Sequence, residues 1–151
     1  MYKTYQALTK PSNSLQQLWR YFPISRFREF LNSEELFFCH LPFLSDGLEG
    51  TLTRRSRKQL CNWHVSQGNN NLVSIENAVT EYEKLSKQFY VNCWHMNNSE
   101  SHLMWKAYAD RGFAIQTTFE RIQASFDMFP GFISGGIVNY IDFERDATAL
   151  G

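Results

Sequence analysis

The stretch Phe89–Thr118 constrains the fold more than any other part of the chain, because its residue pattern changes repeatedly over a short length. Phe89–His95 and Gly112–Thr118 each alternate side chains in the way that predicts a β-strand. Between them, Glu100–Asp110 has the apolar spacing of a helix, and it follows the polar residues Asn97–Ser99. This succession of strand, loop, helix and strand predicts a domain in which helices pack against a sheet.

The rest of the chain repeats the same alternation of element types. Further strands are predicted at Leu18–Phe22, Leu36–Leu41 and Ile137–Phe143. Further helices are predicted at Ser25–Leu31, at Thr51–His64 and from Ser74 onward. We therefore expect an α+β fold, a single domain with a mixed β-sheet flanked by short helices. Residues 1–14 are expected to be a partly mobile lead-in, and residues 15–151 to form the domain.

Charge and cysteine content narrow the classes of protein and partner. Lys plus Arg and Asp plus Glu both number 15, so no net field favours nucleic acid or a membrane surface. The chain has three cysteines, no apolar leader and no run of about 18 apolar residues. These features predict a cytoplasmic protein that binds neither nucleic acid nor membrane.

Glu100 is the first candidate for a functional residue. It precedes Leu103 and Met104 by three and four residues, so a helix that includes it would turn its carboxylate toward the apolar stripe. The alternative is a capping box in which Glu100 reaches back to the backbone N–H of Asn97. The two interpretations can hold together.

A larger polar cluster is predicted around Glu100. Arg20 lies inside an apolar strand, and Asp46 and Glu49 lie in a turn-rich loop after another strand. His95 ends the strand that precedes Glu100. We expect these five side chains to converge, with Glu100, His95 and Arg20 in catalytic roles and Asp46 and Glu49 binding ligand. The alternative is a polar network that ties strands to a helix and lines no pocket.

Aromatic residues complete the predicted site. Trp94 or Trp105 would floor the pocket, and Tyr108 would add to an aromatic binding surface. These three residues also fit the interior of a folded domain, which is the commoner place for aromatic side chains.

Metal and phosphate sites are weakly supported. Cys61, His64, Cys93 and His95 are zinc-ligand residue types, but the chain has no paired Cys-x2-Cys motif, so we predict no metal site. A basic cluster lies on the helix predicted at Thr51–His64 and comprises Arg54, Arg55, Arg57 and Lys58. Without a glycine-rich loop beside it, this cluster favours a solvated helix face over a phosphate site.

The order of motifs resembles a family of uncharacterised bacterial proteins grouped as domain of unknown function 2971. The resemblance covers residues 18–143 and rests on D-x-x-E-G at 46–50, C-W-H at 93–95, E-S-x-x-M-W-x-x-Y at 100–108 and G-x-x-I at 112–115. It brings no assigned reaction. Proteins of this family continue past the last predicted strand with a charged block, so the resemblance implies that this chain is a truncated or minimal member. A domain cut after Phe143 is expected to self-associate through an exposed apolar edge.

Two classes of function follow from the sequence. The first is an enzyme domain acting on a nucleotide-type ligand, NAD-like in kind, because the layout is loosely similar to ADP-ribosyltransferases, in which an early Arg or His meets NAD and a later Glu does the chemistry. Here those positions would be Arg20 and Glu100. The second is a non-catalytic module that binds a small molecule or regulates a partner. The sequence leaves the choice open.

Overall fold

The computed structural model describes residues 8–44 and 46–147, and it contains both helices and strands. They follow one another in the order β1 Gln17–Pro23, α1 Ile24–Ser33, β2 Cys39–His40, α2 Arg54–Ser66, α3 Leu72–Ser86, β3 Tyr90–Val91, β4 His95–Met96, α4 His102–Tyr108, β5 Gly112–Thr118 and α5 Phe119–Ser125. A 3-10 turn at Leu41–Phe43 directly follows β2. The α+β class predicted from the sequence is confirmed.

These elements belong to two compact units of the chain. The first unit contains the described residues up to Phe37 together with Asn92–Val138, and the second contains those of Phe38–Val91 together with residues 139–147. Part of the predicted lead-in, residues 1–7, lies outside the described residues. Residues 8–14 form neither helix nor strand, although the Thr9 carbonyl accepts a hydrogen bond from the Ile137 N–H at 2.8 Å.

The first unit is built on a three-stranded antiparallel sheet in the order β4-β1-β5. β1 is central because it pairs with β4 on one side and with β5 on the other. Its pairing with β5 runs the full length of the strand, from Gln17 opposite Thr118 to Pro23 opposite Gly112. Both strands were predicted from their alternation, and both are confirmed. Successive residues of β1 point to opposite faces of the sheet, so Arg20 and Phe22 share one face and Tyr21 lies on the other.

Each face of this sheet is covered by one helix. On the Phe22 face, α1 contributes Phe27 and Phe30: the Phe22 and Phe30 rings stack with centroids 5.8 Å apart, and Phe27 stacks on Phe113 of β5 at 4.4 Å. On the other face, Trp105 of α4 meets the Tyr21 ring edge-on at 5.0 Å. The first unit is therefore a helix–sheet–helix sandwich whose buried strand is β1.

The second unit contains the packed helices α2 and α3 and the short antiparallel ladder β2-β3. α2 is capped by Thr53, whose hydroxyl oxygen accepts a hydrogen bond from the Ser56 N–H at 3.1 Å. The Asp146 carbonyl accepts from the Thr53 hydroxyl at 2.7 Å, and the Phe143 carbonyl accepts from the Arg54 N–H at 3.2 Å. Residues 143–146 thus satisfy backbone and side-chain donors at the start of α2.

Three strand predictions are corrected by the structure. Of Leu36–Leu41, only Cys39–His40 forms a strand, and the chain then turns at Pro42. Phe89–His95 contributes to two strands of different sheets, β3 and β4, separated by residues 92–94. Ile137–Phe143 forms no strand; its last residue caps α2 instead. The pairings described are all antiparallel and make two small sheets, whereas one mixed sheet was predicted.

The start of α5 is capped by a threonine side chain. Thr118 is the residue whose hydroxyl accepts from a helix N–H, that of Arg121 at 3.3 Å. Within the described residues, no helix is long and apolar enough to cross a membrane.

Candidate functional site

Arg20 lies in the middle of β1 with its guanidinium between two aromatic rings. Its central carbon Cζ is 5.3 Å from the ring centroid of Phe22 and 5.8 Å from that of Trp94. Trp94 reaches this face because the neighbouring residue His95 pairs with Trp19 and so takes the opposite face. Arg20 and Trp94 were both predicted from the sequence to be site residues, and these two lie together in the structure.

The hydrogen bonds of Arg20 leave part of its guanidinium unsatisfied. Nη2 donates to the Phe37 carbonyl at 3.3 Å, whereas Nη1 is buried and has no partner among the described residues. Within the same residues, no carboxylate lies within ion-pair distance of Arg20. A half-buried cation of this kind is uncommon, because buried charges are usually paired.

The environment of Arg20 shifts its ionisation. Burial lowers the pKa of the Arg20 guanidinium from its ordinary value, because the low-dielectric surroundings disfavour the charged form. The neighbouring Cys93 side chain acts in the opposite direction and raises that pKa. The net direction is downward, so desolvation of Arg20 outweighs the compensation that nearby groups provide.

Asn92 is a second polar residue of this cluster, and the sequence analysis missed it. Its Nδ2 donates to the same Phe37 carbonyl at 2.8 Å, while its Oδ1 is buried without a partner among the described residues. Phe37 itself is 61% exposed, and the Arg26 guanidinium lies 5.5 Å from its ring centroid. We call Arg20, Asn92, Trp94 and Phe37 the Arg20 cluster.

His95, Trp105 and Glu100 form a separate group on the other face of the sheet. The His95 ring lies 6.4 Å from that of Tyr21, and its Nε2 is buried without a partner within the described residues. Trp105 packs on the same Tyr21 ring and donates from Nε1 to Glu100 Oε2 at 2.8 Å. The Tyr21 hydroxyl accepts a hydrogen bond from the Ser101 N–H at 2.9 Å.

The predicted position of Glu100 on the apolar stripe of α4 is wrong. The helix begins at His102 and is capped by Ser101, whose hydroxyl accepts from the Met104 N–H at 3.4 Å. Glu100 therefore lies before the helix, is exposed, and has no position on the apolar stripe. The Asn97 N–H donates to the Gln17 carbonyl at 3.3 Å, so Asn97 and Glu100 do not form the expected capping box.

The predicted convergence of Arg20 with Glu100 and His95 is also wrong. Arg20 and Tyr21 are successive residues of an extended strand and point to opposite faces. Since Glu100 and His95 belong to the Tyr21 group, the sheet separates both from the Arg20 side chain. Trp94 accompanies Arg20 on one face, and Trp105 accompanies Glu100 on the other.

Two other predicted binding residues, Asp46 and Glu49, lie in a turn of the second unit. The Asp46 carboxylate accepts from the Leu48 N–H at 2.9 Å, and the Asp46 carbonyl accepts from the Glu49 N–H at 3.3 Å. Both side chains are exposed. Within this unit Asp46 stabilises the turn through these hydrogen bonds. Tyr108 ends α4 in the first unit and is 59% exposed.

The basic face of α2 is largely paired. Arg57 Nη2 lies 2.6 Å from Glu83 Oε1, and Arg54 Nη1 lies 3.2 Å from Glu144 Oε2. Arg55 donates to the Arg145 carbonyl at 3.3 Å. Among the residues that the structure describes, no group of three or more His, Cys, Asp or Glu side chains is arranged to hold a metal ion.

Comparisons of the chain with protein-family models, with curated proteins and with solved structures each gave no match. The resemblance to domain of unknown function 2971 therefore stays a prediction from the motifs.

Proposed function

We propose that the first unit is a non-catalytic binding module for a small anionic ligand of nucleotide type, held at the Arg20 cluster. One observation carries the proposal: the half-buried guanidinium of Arg20 has no carboxylate partner among the described residues. A carboxylate or phosphate oxygen is the partner that a guanidinium binds best, because it accepts two parallel N–H bonds.

The aromatic residues of the cluster favour a nucleotide over a simple anion. Trp94 is half-buried beside Arg20, and the Phe37 ring is 61% exposed. A base stacks on such a ring with a free energy of about 1–3 kcal/mol. A ligand with a planar ring and a phosphate would use both properties of the cluster.

A non-catalytic role is favoured over an enzyme because the predicted acid and cation are separated. An enzyme of the type considered would need Glu100 and Arg20 at one ligand, and they lie on opposite faces of the sheet. The resemblance to domain of unknown function 2971 is compatible with this proposal, since it carries no reaction.

A thermal-shift screen with ATP, NAD, adenosine and inorganic phosphate tests the proposal. We expect ATP or NAD to raise Tm most, since a ligand at about 100 times its Kd adds about 2.7 kcal/mol of stability. Adenosine lacks the charge and phosphate lacks the ring, so each alone should act more weakly. If none of the four raises Tm, the proposal is wrong.

Two matched variants locate the binding. Arg20→Met removes the cation of the cluster, and Arg28→Met makes the same change at an exposed arginine of α1. We expect the first to weaken nucleotide binding by about tenfold or more, the loss of a charged hydrogen bond of about 1.5–3 kcal/mol, and the second to leave it unchanged. Equal affinities of Arg20→Met and the unaltered protein would place the ligand elsewhere.

A further inference from the structure

β5 is an edge strand of the sheet in the first unit. The strand order β4-β1-β5 leaves one side of β5 without a partner strand among the described residues. The strand lacks the features that usually protect such an edge, because Gly112–Thr118 contains no proline and no charged side chain. Its pairing with β1 is one residue to one residue along its whole length, without a bulge. A regular, uncharged edge of this kind is a template for another strand.

The hydrogen-bond pattern shows which backbone groups of β5 face outward. The Phe119 N–H donates to the Gln16 carbonyl at 3.2 Å, one residue beyond the last pair of the ladder. Hydrogen-bonded pairs recur at every second residue of an antiparallel ladder, so the odd-numbered residues of β5 bond to β1. The backbone N–H and C=O groups of Ala114 and Gln116 therefore point away from β1. They have no hydrogen-bond partner among the described residues.

Charged residues at both ends of β5 favour a second copy of this chain as the partner. Asp110 and Arg111 precede the strand, and Glu120 and Arg121 follow it closely. All four side chains are exposed, and none forms an ion pair among the residues that the structure describes. When two β5 strands pair antiparallel, Arg111 of each copy lies at the same end as Glu120 of the other. A parallel pair would instead place like charges together, which is unfavourable.

We propose that two copies of the chain pair antiparallel through β5 and join their sheets into one continuous sheet. With the two-fold axis at Ile115, Ala114 of each copy exchanges N–H···O=C hydrogen bonds with Gln116 of the other. Phe113, whose side chain is 49% exposed, then lies opposite Thr117 of the second copy. An aromatic residue opposite a β-branched residue is a favourable cross-strand pair.

Amide hydrogen exchange, measured by NMR over a series of protein concentrations, tests this pairing. We expect the Ala114 and Gln116 amides to exchange about tenfold more slowly at roughly ten times the dimer Kd, since only the dimer protects them. The Phe113 and Ile115 amides bond to β1 within one copy and should change less. Association through other exposed side chains would not protect these two outward amides. Exchange at Ala114 and Gln116 that does not depend on concentration, whether fast or slow, would overturn the proposal.

Substitutions at Gln116 make the test specific to the edge. Gln116→Pro removes an outward N–H and no bond to β1, and proline is tolerated on the open side of an edge strand. It should abolish the concentration-dependent protection of the Ala114 amide, whereas Gln116→Val keeps the N–H and should retain it. Should Gln116→Pro fail to fold, Gln116→Lys places a charge on the edge and should have the same effect. Protection of Ala114 that persists in the folded edge variant would contradict the pairing.

A charge exchange tests the antiparallel direction. Arg111→Glu places like charges at both ends of the strand pair and should weaken the dimer by about fivefold. Adding Glu120→Arg to this variant should restore the affinity. A double variant that associates no better than Arg111→Glu would overturn the antiparallel arrangement.

Discussion

The effect of Arg20 on stability shows whether it is a binding residue or a structural one, because its hydrogen bond stabilises the fold and its desolvation destabilises it. Its hydrogen bond to the Phe37 carbonyl is long, 3.3 Å, and stabilises by about 1 kcal/mol at most. Desolvation of a cation without an acidic partner acts against folding. We therefore expect Arg20→Met to leave the free energy of unfolding unchanged or to increase it, as measured by denaturant titration.

The opposite result would identify Arg20 as a structural residue. A loss of more than about 1.5 kcal/mol in Arg20→Met would exceed the value of one neutral hydrogen bond, and the cluster would then serve mainly to hold Phe37. Arg28→Met, at an exposed arginine of the same unit, should change stability by less than about 0.5 kcal/mol.

Replacing Thr53 should destabilise the protein, in contrast to replacing Arg20. The Thr53 hydroxyl is fully buried, and it both donates and accepts a hydrogen bond. The hydroxyl has one proton, and since the Asp146 carbonyl can only accept, that proton goes to Asp146; the oxygen then accepts from the Ser56 N–H. Thr53→Ala should lower the free energy of unfolding by roughly 1–3 kcal/mol, from the lost cap and the unsatisfied groups left behind.

Thr53→Ser is the control for this prediction, since it keeps the hydroxyl and removes only a methyl group. Thermal unfolding should show it less destabilised than Thr53→Ala. If the two variants lost equal stability, packing of the methyl group would be the cause and the hydrogen bonds would not.

The sequence predicted which residues are unusual better than it predicted which face of the sheet their side chains take. Arg20 and Trp94 were found because an arginine inside an apolar strand and a Trp-His pair are unusual. Glu100 was placed on the wrong face because a shift of two residues in the helix start changes which side chains belong to the stripe. Asn92 was missed, since its importance comes from the Phe37 carbonyl, 55 residues away.

Among the elements, the pairing of β1 with β5 depends on Gly112. A Cβ at this position would overlap the Phe22 carbonyl oxygen and lie 2.9 Å from its carbonyl carbon, and both are backbone atoms that cannot move aside. Gly112→Ala should therefore destabilise the protein by about 1–3 kcal/mol or more. Gly47→Ala, where an added Cβ meets nothing within 4 Å, should cost little. A thermal melt in which both variants behave alike would show that the β1–β5 approach is not tight.

The strands that were predicted correctly differ from the others in their neighbours. β1 and β5 alternate along their whole length and pair with each other over seven residues. Ile137–Phe143 alternates equally well, yet its end is used to cap α2 through the Phe143 carbonyl. Alternation shows that a segment can be a strand, whereas pairing requires an available partner edge, which a single sequence does not reveal.

At the scale of the whole molecule, charge is balanced and exposed apolar side chains remain. Two basic residues of α2, Arg57 and Arg54, form ion pairs with Glu83 and Glu144 within the second unit. Large apolar side chains in the last part of the described chain are strongly exposed: Met128 95%, Phe132 79% and Tyr140 98%. An exposed aromatic side chain such as Tyr140 gains apolar burial when another chain covers it.

We therefore expect the protein to self-associate as its concentration rises, as the sequence also predicted for its C-terminal part. Sedimentation velocity over a concentration series should show an increasing average sedimentation coefficient. Tyr140→Ser should weaken association by about ten- to hundredfold, because burying one large aromatic side chain contributes about 1.5–3 kcal/mol. Leu72→Ser, at a position of α3 that is 74% exposed, is the matched control and should leave association unchanged. Equal effects of the two changes would indicate unspecific stickiness, and a concentration-independent monomer would contradict the prediction.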